Sequence, residues 1–422
     1  MLTVSQAEAI ILDLVQPLDK ERDAEVVTLL TAIDRILAAP VISQLDFPHW
    51  DNSAMDGYAV RYQDVQHCSD EQPAVLEIVE EIQAGYQPQR VIQPGQAARI
   101  LTGAVMPSGA DTVVMQERTR REGDRVLIKA SPEPQAFVRH RASFYQAGTP
   151  LLPPGIMLNA PEIALLAAAQ CTKLTVYRRP HVAILSTGNE LVTLDQPLQP
   201  GEIVDSNQYA LAALVAETGA EPLPLGIVAD EPEALKRAIA TAVQTADVVL
   251  STGGVSVGDY DYVEQILAEL GADIHIRAVA VKPGKPLTVA TLPAVSGGFE
   301  RKQVLYFGLP GNPVSAVVSF WRFVQPALKK RAGLSHSWGP VFVKARSRHS
   351  LSSDGKRETY LWGCLHLVDG DYEFHPASGS HSSGNLINLA QTNGLAVLPV
   401  GQTSISAGEP VQVLQVGSPI IL

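Results

Sequence analysis

The sequence predicts a multidomain α/β protein. Its centre is a three-layer α/β domain with a mostly parallel sheet, accompanied by an inserted β-rich domain, a helical/extended domain and a C-terminal β region. Three observations predict this. Short apolar runs alternate with helical patterns between Arg178 and Arg331, the signature of a parallel sheet covered by helices on both faces. Short β-like runs punctuated by Gly and Pro fill 46–142. After Arg331 the chain turns β again. A length of 422 residues suits roughly two to four domains at about 150 residues each.

The elements follow in order. Val182-Ala-Ile-Leu185 is a short apolar run ending in Ser-Thr-Gly, a buried strand and its loop. Asp205-Ser206-Asn207 opens a helix in which Leu211, Leu214 and Val215 share a face, and Gly219 stands where a C-cap belongs. Leu223 to Val228 reads as a strand. Asp230 is expected to cap the next, Ala-rich helix, with Pro232 in its first turn. Asp247 to Leu250 is a strand, and Val263 to Leu270 is a helix stopped by Gly271. Strands over Ile274–Val281 and Val304–Phe307 precede a helix from about Val314 to Lys330.

The flanks read differently. Ala74–Val79, Ala97–Leu101, Thr112–Met115 and Arg125–Ile128 are the β-like runs of the inserted piece. Residues 1–45 and 143–177 read as mainly helical and are expected to pack beside each other as one discontinuous domain. The expected partition is therefore 1–45 with 143–177, then 46–142, 178–331 and 332–422. Val341–Ala345, Thr359–Leu367, Tyr372–His375, Leu395–Leu398 and Val411–Val416 are the strands of the last region.

Composition excludes several classes. Lys and Arg number 32 against 44 Asp and Glu, a net charge of −12, whereas a general nucleic-acid binder needs a basic face. A hydrophobic content of 46% rules out wholesale disorder. Cys68, Cys171 and Cys364 form no CxxC pair, which argues against structural zinc or a disulfide framework. The start of the chain lacks a basic segment followed by an apolar core, and the run from Ile163 to Thr172 is far shorter than the roughly 20 residues that cross a bilayer. The expectation is a soluble cytoplasmic protein with neither nucleic-acid nor membrane partners.

Open parallel sheets bind ligands beyond the carboxyl ends of their strands. Glu190, Asp230, the Ser251–Asp261 loop, Lys282-Pro-Gly-Lys285 and Leu309–Pro313 all fall at such ends. Any one alone is explicable as a cap or a turn; their arrival at one rim points to a site. In STGGVSVGDYD, adjacent glycines let backbone N–H groups converge on an anion, and Ser251, Thr252 and Ser256 add hydroxyl donors. Asp259 and Asp261 offer hard oxygens suited to Mg²⁺. Neither GxxxxGK[ST] nor GxGxxG occurs, so this is not a Walker or dinucleotide loop. Lys282 and Lys285 supply positive charge on a loop stiffened by Pro283 and Pro286. The expected ligand is phosphorylated and accompanied by a divalent cation. No HExxH is present, which argues against a catalytic zinc held by histidines. Arg139-His140-Arg141 is a basic strip that reads equally as solvated charge or as an anion contact.

Several segments together resemble one family. DNSAMDGYAV (51–60), ILTGAVMPSGADTVVMQE (100–117), ILSTGNELV (184–192), STGGVSVGDYD (251–261), VKPGKP (281–286) and GLPGNPVS (308–315) are similar to the molybdopterin molybdenumtransferases, the MoeA and gephyrin E-domain family. SQAEAI near the start and NGLAVLP (393–399) extend the likeness to both ends. The resemblance implies insertion of molybdenum from molybdate into adenylylated molybdopterin, with release of AMP and help from Mg²⁺. It also implies an elongated homodimer, a C-terminal β-barrel, and transient contact with a molybdopterin adenylyltransferase and with molybdoenzyme apoproteins.

Carried over position by position, the resemblance makes Asp259 the metal-associated carboxylate, with Asp230 and Glu190 beside it. Thr252, Gly253, Gly254 and Ser256 would cradle the phosphate or pyrophosphate, and Ser206 and Asn207 would contact the nucleotide side. Lys282, Lys285, Ser315 and Arg357 would bind the molybdate oxyanion, which needs donors already aimed in a partly dry pocket. Asp56 and Thr102 would complete the cleft from the β-rich domain, across the dimer in some arrangements; Met55-Asp56-Gly57 also reads as a plain turn. Arg139 matches a family arginine near a hinge.

The chain departs from the family in two places. Where the family usually reads Gly, an acidic or small residue, then Asp, this chain has Ala142-Ser143-Phe144. Where it often reads Gln-Gly-Ser, this chain has Ser380-His381-Ser382-Ser383, and Ser383 alone carries over. Two other readings stand beside the leading one: adenylyl transfer to molybdopterin, against which the extra domains and the MDGYA segment argue, and a non-catalytic scaffold of gephyrin type, against which Asp259, Lys282, Lys285 and Arg357 argue.

Overall fold

Val182, Ala183, Ile184 and Leu185 are all fully buried, yet they alternate between two cores. That is the behaviour of a central strand covered on both faces, and it explains why the run carries no polar alternation. The computed structural model describes residues 1–253, 262–293 and 303–421. It divides into two units: Met1–Ala39, Pro154–Pro161 and Lys173–Leu422 form the first, and Pro40–Pro153 with Glu162–Thr172 form the second.

The first unit contains α1 (Val4–Leu14), β1 (Ala24–Thr28), β2 (Lys173–Tyr177), β3 (His181–Thr187), α2 (Asn207–Glu217) and β4 (Glu221–Val228). It continues with α3 (Pro232–Thr245), β5 (Val248–Thr252), α4 (Tyr262–Glu269), β6 (Asp273–Ala278), β7 (Val281–Lys282), β8 (Pro286–Leu292) and β9 (Val304–Leu309). Then come α5 (Pro313–Ser319), a π-helical turn (Phe320–Val324) and α6 (Gln325–Arg331). The sheet order is β4-β3-β5-β9-β8-β6. The first four strands are parallel, and β8 and β6 join antiparallel at one edge.

One sheet face buries Val182, Ile184, Leu250 and Phe307 with Leu211 and Val215 of α2 and with α1. The other buries Ala183, Leu185 and Val249 with Leu235 and Ile239 of α3 and Ile266 and Leu267 of α4. Each fully buried Leu or Ile contributes about 1.5–3 kcal/mol, so the two layers hold the strand ends in fixed register. α1 begins in a capping box: Gln6 N donates to Thr3 Oγ1 (3.2 Å) and Thr3 N to Gln6 Oε1 (3.0 Å). It presents Val4, Ala7 and Ile11 to the core.

Three local expectations are corrected. Asp230 does not cap α3. Glu231 occupies the N-cap position and Pro232 the first helical turn, because proline lacks a backbone N–H and its fixed φ suits the first helical position, which fixes where the helix starts. The strand expected over Ile274–Val281 breaks after Ala278, and Val281–Lys282 pairs instead with Glu358 and Thr359. The helix expected from Val314 to Lys330 is continuous but carries the π turn. Pro326 removes a backbone donor just after it, loosening the local hydrogen-bond ladder. The stretches 1–45 and 143–177 hold helices at Val4–Leu14 and Ala160–Ala168 but also strands. β1 pairs antiparallel with β2, Ala24 opposite Tyr177 and Thr28 opposite Lys173.

The C-terminal strands are β10 (Val341–Ser347), β11 (Glu358–Val368), β12 (Asp371–Pro376), β13 (Gly394–Leu398) and β14 (Pro410–Gln415). They close into a five-stranded barrel: β11 pairs β12, β12 pairs β10, β10 pairs β14, β14 pairs β13, and β13 returns to β11. Alternation along β11 sends Leu361 and Leu365 into the barrel with Phe374 and Val413. Tyr360 and Trp362 face outward into the large core shared with the α/β layers.

The second unit is a curled six-stranded sheet in the order Thr112–Met115, Gly57–Val60, Gln96–Ile100, Ala74–Ile82, Arg125–Ile128 and Thr119–Glu122. Tyr58 and Val60 pack on one face with Leu76 and Val126, and Ala59 packs on the other with Ile82 and Ile100.

Candidate active site

The carboxyl ends of β3, β5 and β9 and the near edge of the barrel enclose a cleft of about 1120 Å³ within the first unit. Glu190, Ser206, Asn207, Thr252, Gly253, Lys282, Lys285, Ser315, Arg357 and Ser383 all line it. Parallel pairing brings the strand ends level: Ser186 lies opposite Thr252, and Thr252 opposite Leu309. The loops that follow meet closely, since a Cβ on Gly311 would lie 3.6 Å from Gly253 Cα.

Gly253 has φ +86°, and a Cβ there would sit 2.2 Å from the Thr187 carbonyl oxygen. Only glycine permits that turn. Thr252 is buried and its hydroxyl donates to Ser186 Oγ at 3.2 Å. Ser251 points to the opposite face, where its hydroxyl bonds the Tyr306 hydroxyl; it does not line the cleft, contrary to its expected donor role. Gly254, Ser256, Asp259 and Asp261 lie outside the described residues.

The start of α2 forms one wall. Asp205 is 2% exposed, and its carboxylate accepts from Gln208 N (3.2 Å) and Gln208 Nε2 (3.3 Å). Asp205 thus anchors the start of the helix that Asp205-Ser206-Asn207 was expected to open. Asn207 Nδ2 donates to the Gly311 carbonyl at 2.9 Å, which fixes the amide; its Oδ1 has no partner among the described residues.

The cations stand on the loop joining β7 to β8 and at the foot of β11. Gly284 has φ +102°, and a Cβ there would lie 2.7 Å from Ser319 Oγ, so glycine lets the loop press onto α5. Lys282 Nζ meets Asp354 Oδ2 at 3.1 Å. A backbone N–H from Lys356 and the Lys282 ammonium hold the Asp354 carboxyl below its usual range. Arg357 Nη1 donates to the Val281 carbonyl at 3.2 Å, tying the two loops together, and Lys285 is exposed. Ser315 is buried in the first turn of α5.

Asp230 is not part of the cleft lining; its N–H donates to Asn189 Oδ1 at 3.1 Å. Among the described residues no group of three or more His, Cys, Asp or Glu is placed to hold a metal. Asp56, Thr102 and Arg139 belong to the second unit. There Asp56 Oδ1 accepts from both Thr102 N and Thr102 Oγ1 at 2.7 Å, and these bonds lower the Asp56 pKa. Met55-Asp56-Gly57 is thus more than a plain turn. Of the basic strip, His140 Nδ1 lies 3.1 Å from Asp51 Oδ2 and Arg141 Nε 2.6 Å from Asp46 Oδ2, so these two side chains each have a carboxylate neighbour. Ala142 adopts φ +62°, and Phe144 is 73% exposed.

Sequence reasoning missed Trp362 and His381, and it named Asn312 only as part of the Leu309–Pro313 loop; all three line the cleft. Barrel closure brings the first two there, and no local motif announces it. Both Trp362 and Tyr360 belong to the core outside the barrel.

Three family models match the chain. One for the MoeA N-terminal region (domain I and II) covers 2–169, one for a probable molybdopterin binding domain covers 183–330, and one for the MoeA C-terminal region (domain IV) covers 344–416. A molybdopterin molybdenumtransferase of a Nostoc species is 65% identical over 98% of this chain and 94% of its own. The Haemophilus influenzae protein of the same name is 33% identical over 98% of both chains. The crystal structure of a molybdopterin biosynthesis moeA protein from Pyrococcus horikoshii OT3 matches with a TM-score of 0.82 at 27% identity, covering 98% of this chain and 100% of that one.

Proposed function

The chain belongs to the molybdopterin molybdenumtransferase family, and from that premise we propose that its cleft holds adenylylated molybdopterin and molybdate together. It is an enzyme of molybdenum cofactor biosynthesis that inserts molybdenum. The observation that carries the finer reading is the convergence of Lys282, Lys285, Arg357, Ser315 and the Thr252-Gly253 turn on one cleft.

Each residue has a role that follows from its chemistry. Lys282, Lys285 and Arg357 attract the molybdate dianion, and Ser315 adds a hydroxyl donor. Donors already held in place lose little freedom on binding and act strongly in a partly dry cleft. The Thr252–Gly253 turn, with Gly254 and Ser256, receives the pyrophosphate. Ser206 and Asn207 sit at the start of α2, where backbone N–H groups favour an anion, and contact the nucleotide side. Ser383 closes the barrel side. Asp56, Thr102 and Arg139 are the proposed substrate-binding residues of the β-rich region.

A carboxylate-rich oxygen set suits Mg²⁺. Glu190 on the cleft rim and Asp259 would hold the ion; Asp230 is the weakest member, since it is not among the lining residues. When bound, the ion supplies charge neutralisation at the pyrophosphate. The remaining proposals are a cytoplasmic homodimer, transient contact with a molybdopterin adenylyltransferase and with apoproteins that accept the cofactor, and the four-part division at 1–45 with 143–177, 46–142, 178–331 and 332–422. Among the described residues no helix is long and apolar enough to cross a membrane.

The test is AMP release. The purified chain is given adenylylated molybdopterin and Mg²⁺, then molybdate. AMP release that depends on molybdate and is lost in Asp259→Ala is expected. Release unchanged in that variant removes the metal assignment, and formation of adenylylated pterin from ATP and molybdopterin favours adenylyl transfer instead.

A further inference from the structure

Glu358 joins the two cationic segments of the cleft to the buried core. Its N–H donates to the Ala280 carbonyl at 3.0 Å. It is registered opposite Val281, as Thr359 is opposite Lys282. Arg357 comes immediately before it, and Arg357 Nη1 returns to the Val281 carbonyl at 3.2 Å. The segments that carry Lys282 and Arg357 are therefore zipped together at this one junction. Yet β7 is only two residues long, so the ladder beneath both cations is short. Successive residues of a strand point to opposite faces. Glu358 thus faces away from Thr359 and on the same side as Tyr360.

A second fixing point lies on that side. Glu358 Oε1 accepts from the Tyr360 hydroxyl at 2.6 Å, and the same hydroxyl accepts from Arg322 Nε at 2.9 Å. A guanidinium can only donate, so the phenol spends its own proton on Glu358. Burial pushes the Tyr360 pKa up, which keeps that proton in place. Tyr360 is fully buried, and the two Nη atoms of Arg322 reach Glu8 of α1. Four side chains thus run from α1 through the π turn to the foot of β11. Hydrogen bonds to a carboxylate are roughly twice as strong as neutral ones.

We propose that Glu358 is a positioning residue: its carboxylate, held by Tyr360 and through it by Arg322, fixes the β7–β11 junction so that Lys282 and Arg357 are aimed together at one oxyanion. Glu358 touches no substrate and acts as an acceptor. The inference rests on the proposed molybdate site. Its consequence is selective, since the Thr252–Gly253 turn is carried by other strands and does not depend on this junction.

Calorimetry on the full-length chain would measure binding of molybdate, sulfate and pyrophosphate. Glu358→Ala and Tyr360→Phe each remove the bond, and each is expected to weaken molybdate binding by about tenfold. Glu358→Gln keeps an acceptor and is expected to stay within a few-fold of wild type. The double variant Tyr360→Phe with Glu358→Ala should bind no more weakly than the weaker single one, because both changes remove the same bond. Pyrophosphate affinity should not change in any of them. Glu358 is half-buried, so the contrast between its Ala and Gln variants decides the matter even if Tyr360→Phe does not fold. Wild-type molybdate affinity in Glu358→Ala, a loss in Glu358→Gln equal to that in Glu358→Ala, additive losses in the double variant, or a parallel loss of pyrophosphate binding overturns the proposal. Sulfate, another tetrahedral dianion, separates it from the substrate reading. A wild type that takes sulfate but not molybdate, with the same pattern among the variants, sinks only the substrate reading. One that takes molybdate but ignores the substitutions sinks only this inference, and one that takes neither anion overturns both.

Discussion

Lys282 Nζ lies 3.1 Å from Asp354 Oδ2, so a lysine expected to meet an oxyanion already has a carboxylate beside it. Both side chains are substantially exposed, at 44% and 36%. Ion pairs of that kind are weak and easily exchanged. The pair is better understood as a competitor for the incoming anion than as a brace of the fold. Asp354→Asn is expected to bind molybdate a few-fold more tightly, and Lys282→Met to bind it far more weakly, with little change in melting temperature for either. Calorimetric titration with molybdate checks both. Weaker binding in Asp354→Asn would mean that the carboxylate positions the lysine for its ligand.

Arg322 makes a contrasting pair. Its guanidinium is 5% exposed and meets both Glu8 oxygens, at 2.8 and 2.9 Å, while Nε donates to the Tyr360 hydroxyl at 2.9 Å. Three distant segments meet there: α1, the π turn and the barrel strand beside the cleft. Removing one partner of a buried pair strands the other charge, at a cost of about 3–5 kcal/mol. Glu8→Ala is expected to lower stability by about that amount in urea unfolding. Glu8→Gln, which keeps an acceptor, loses less. Equal stability of wild type and Glu8→Ala would show that water reaches the guanidinium.

Acid sensitivity has a defined source. Burial alone would raise the Asp247 pKa, but the two Arg178 hydrogen bonds, at 2.6 and 2.9 Å, and the nearby Arg331 outweigh it and hold it at about 2, against 3.8 ordinarily. A group whose folded pKa is depressed adds stability that is complete above its unfolded pKa and is lost as pH falls through the folded one. The contribution of Asp247 is therefore flat above about pH 4 and disappears between about 4 and 2. Asp247→Asn is expected to be less stable at neutral pH and to show a smaller fall over that window. Parallel pH profiles for the two proteins would place the acid transition elsewhere.

Legibility in the sequence followed locality. The run Val182–Leu185 announced itself because a strand buried on both faces needs continuous apolar side chains. The cleft loops were legible because Gly253, Gly284 and the prolines around them answer local backbone demands. Asp230 misled because a cap preference is weak beside a proline at the first helical position, which moves the helix start to Glu231. Val281–Lys282 misled because its partner, Glu358–Thr359, is remote in sequence. Trp362 and His381 were invisible as site residues for the same reason. They reach the cleft through closure of the barrel, and nothing in their neighbours signals that closure.

The Thr252–Gly253 turn gives the sharpest contrast between two glycines of one cleft. At Gly253 the backbone is left-handed, and a Cβ would stand 2.2 Å from the Thr187 carbonyl oxygen and 2.8 Å from its hydroxyl. Neither can retreat freely, because Thr187 ends a central strand registered between β4 and β5. At Gly311, whose loop touches that turn, the nearest described atom to a Cβ is 3.6 Å away, an ordinary contact. Gly253→Ala must shift the turn bodily, and a displacement near 1 Å at a reacting site costs about a hundredfold in rate. Gly311→Ala needs no such shift. Molybdate-dependent AMP release is therefore expected to fall by about that factor in Gly253→Ala and to stay within a few-fold of wild type in Gly311→Ala. Both chains should retain wild-type circular dichroism, since the turn lies at the rim and not in either core. Equal rates in the two variants would show that the turn does not hold the substrate.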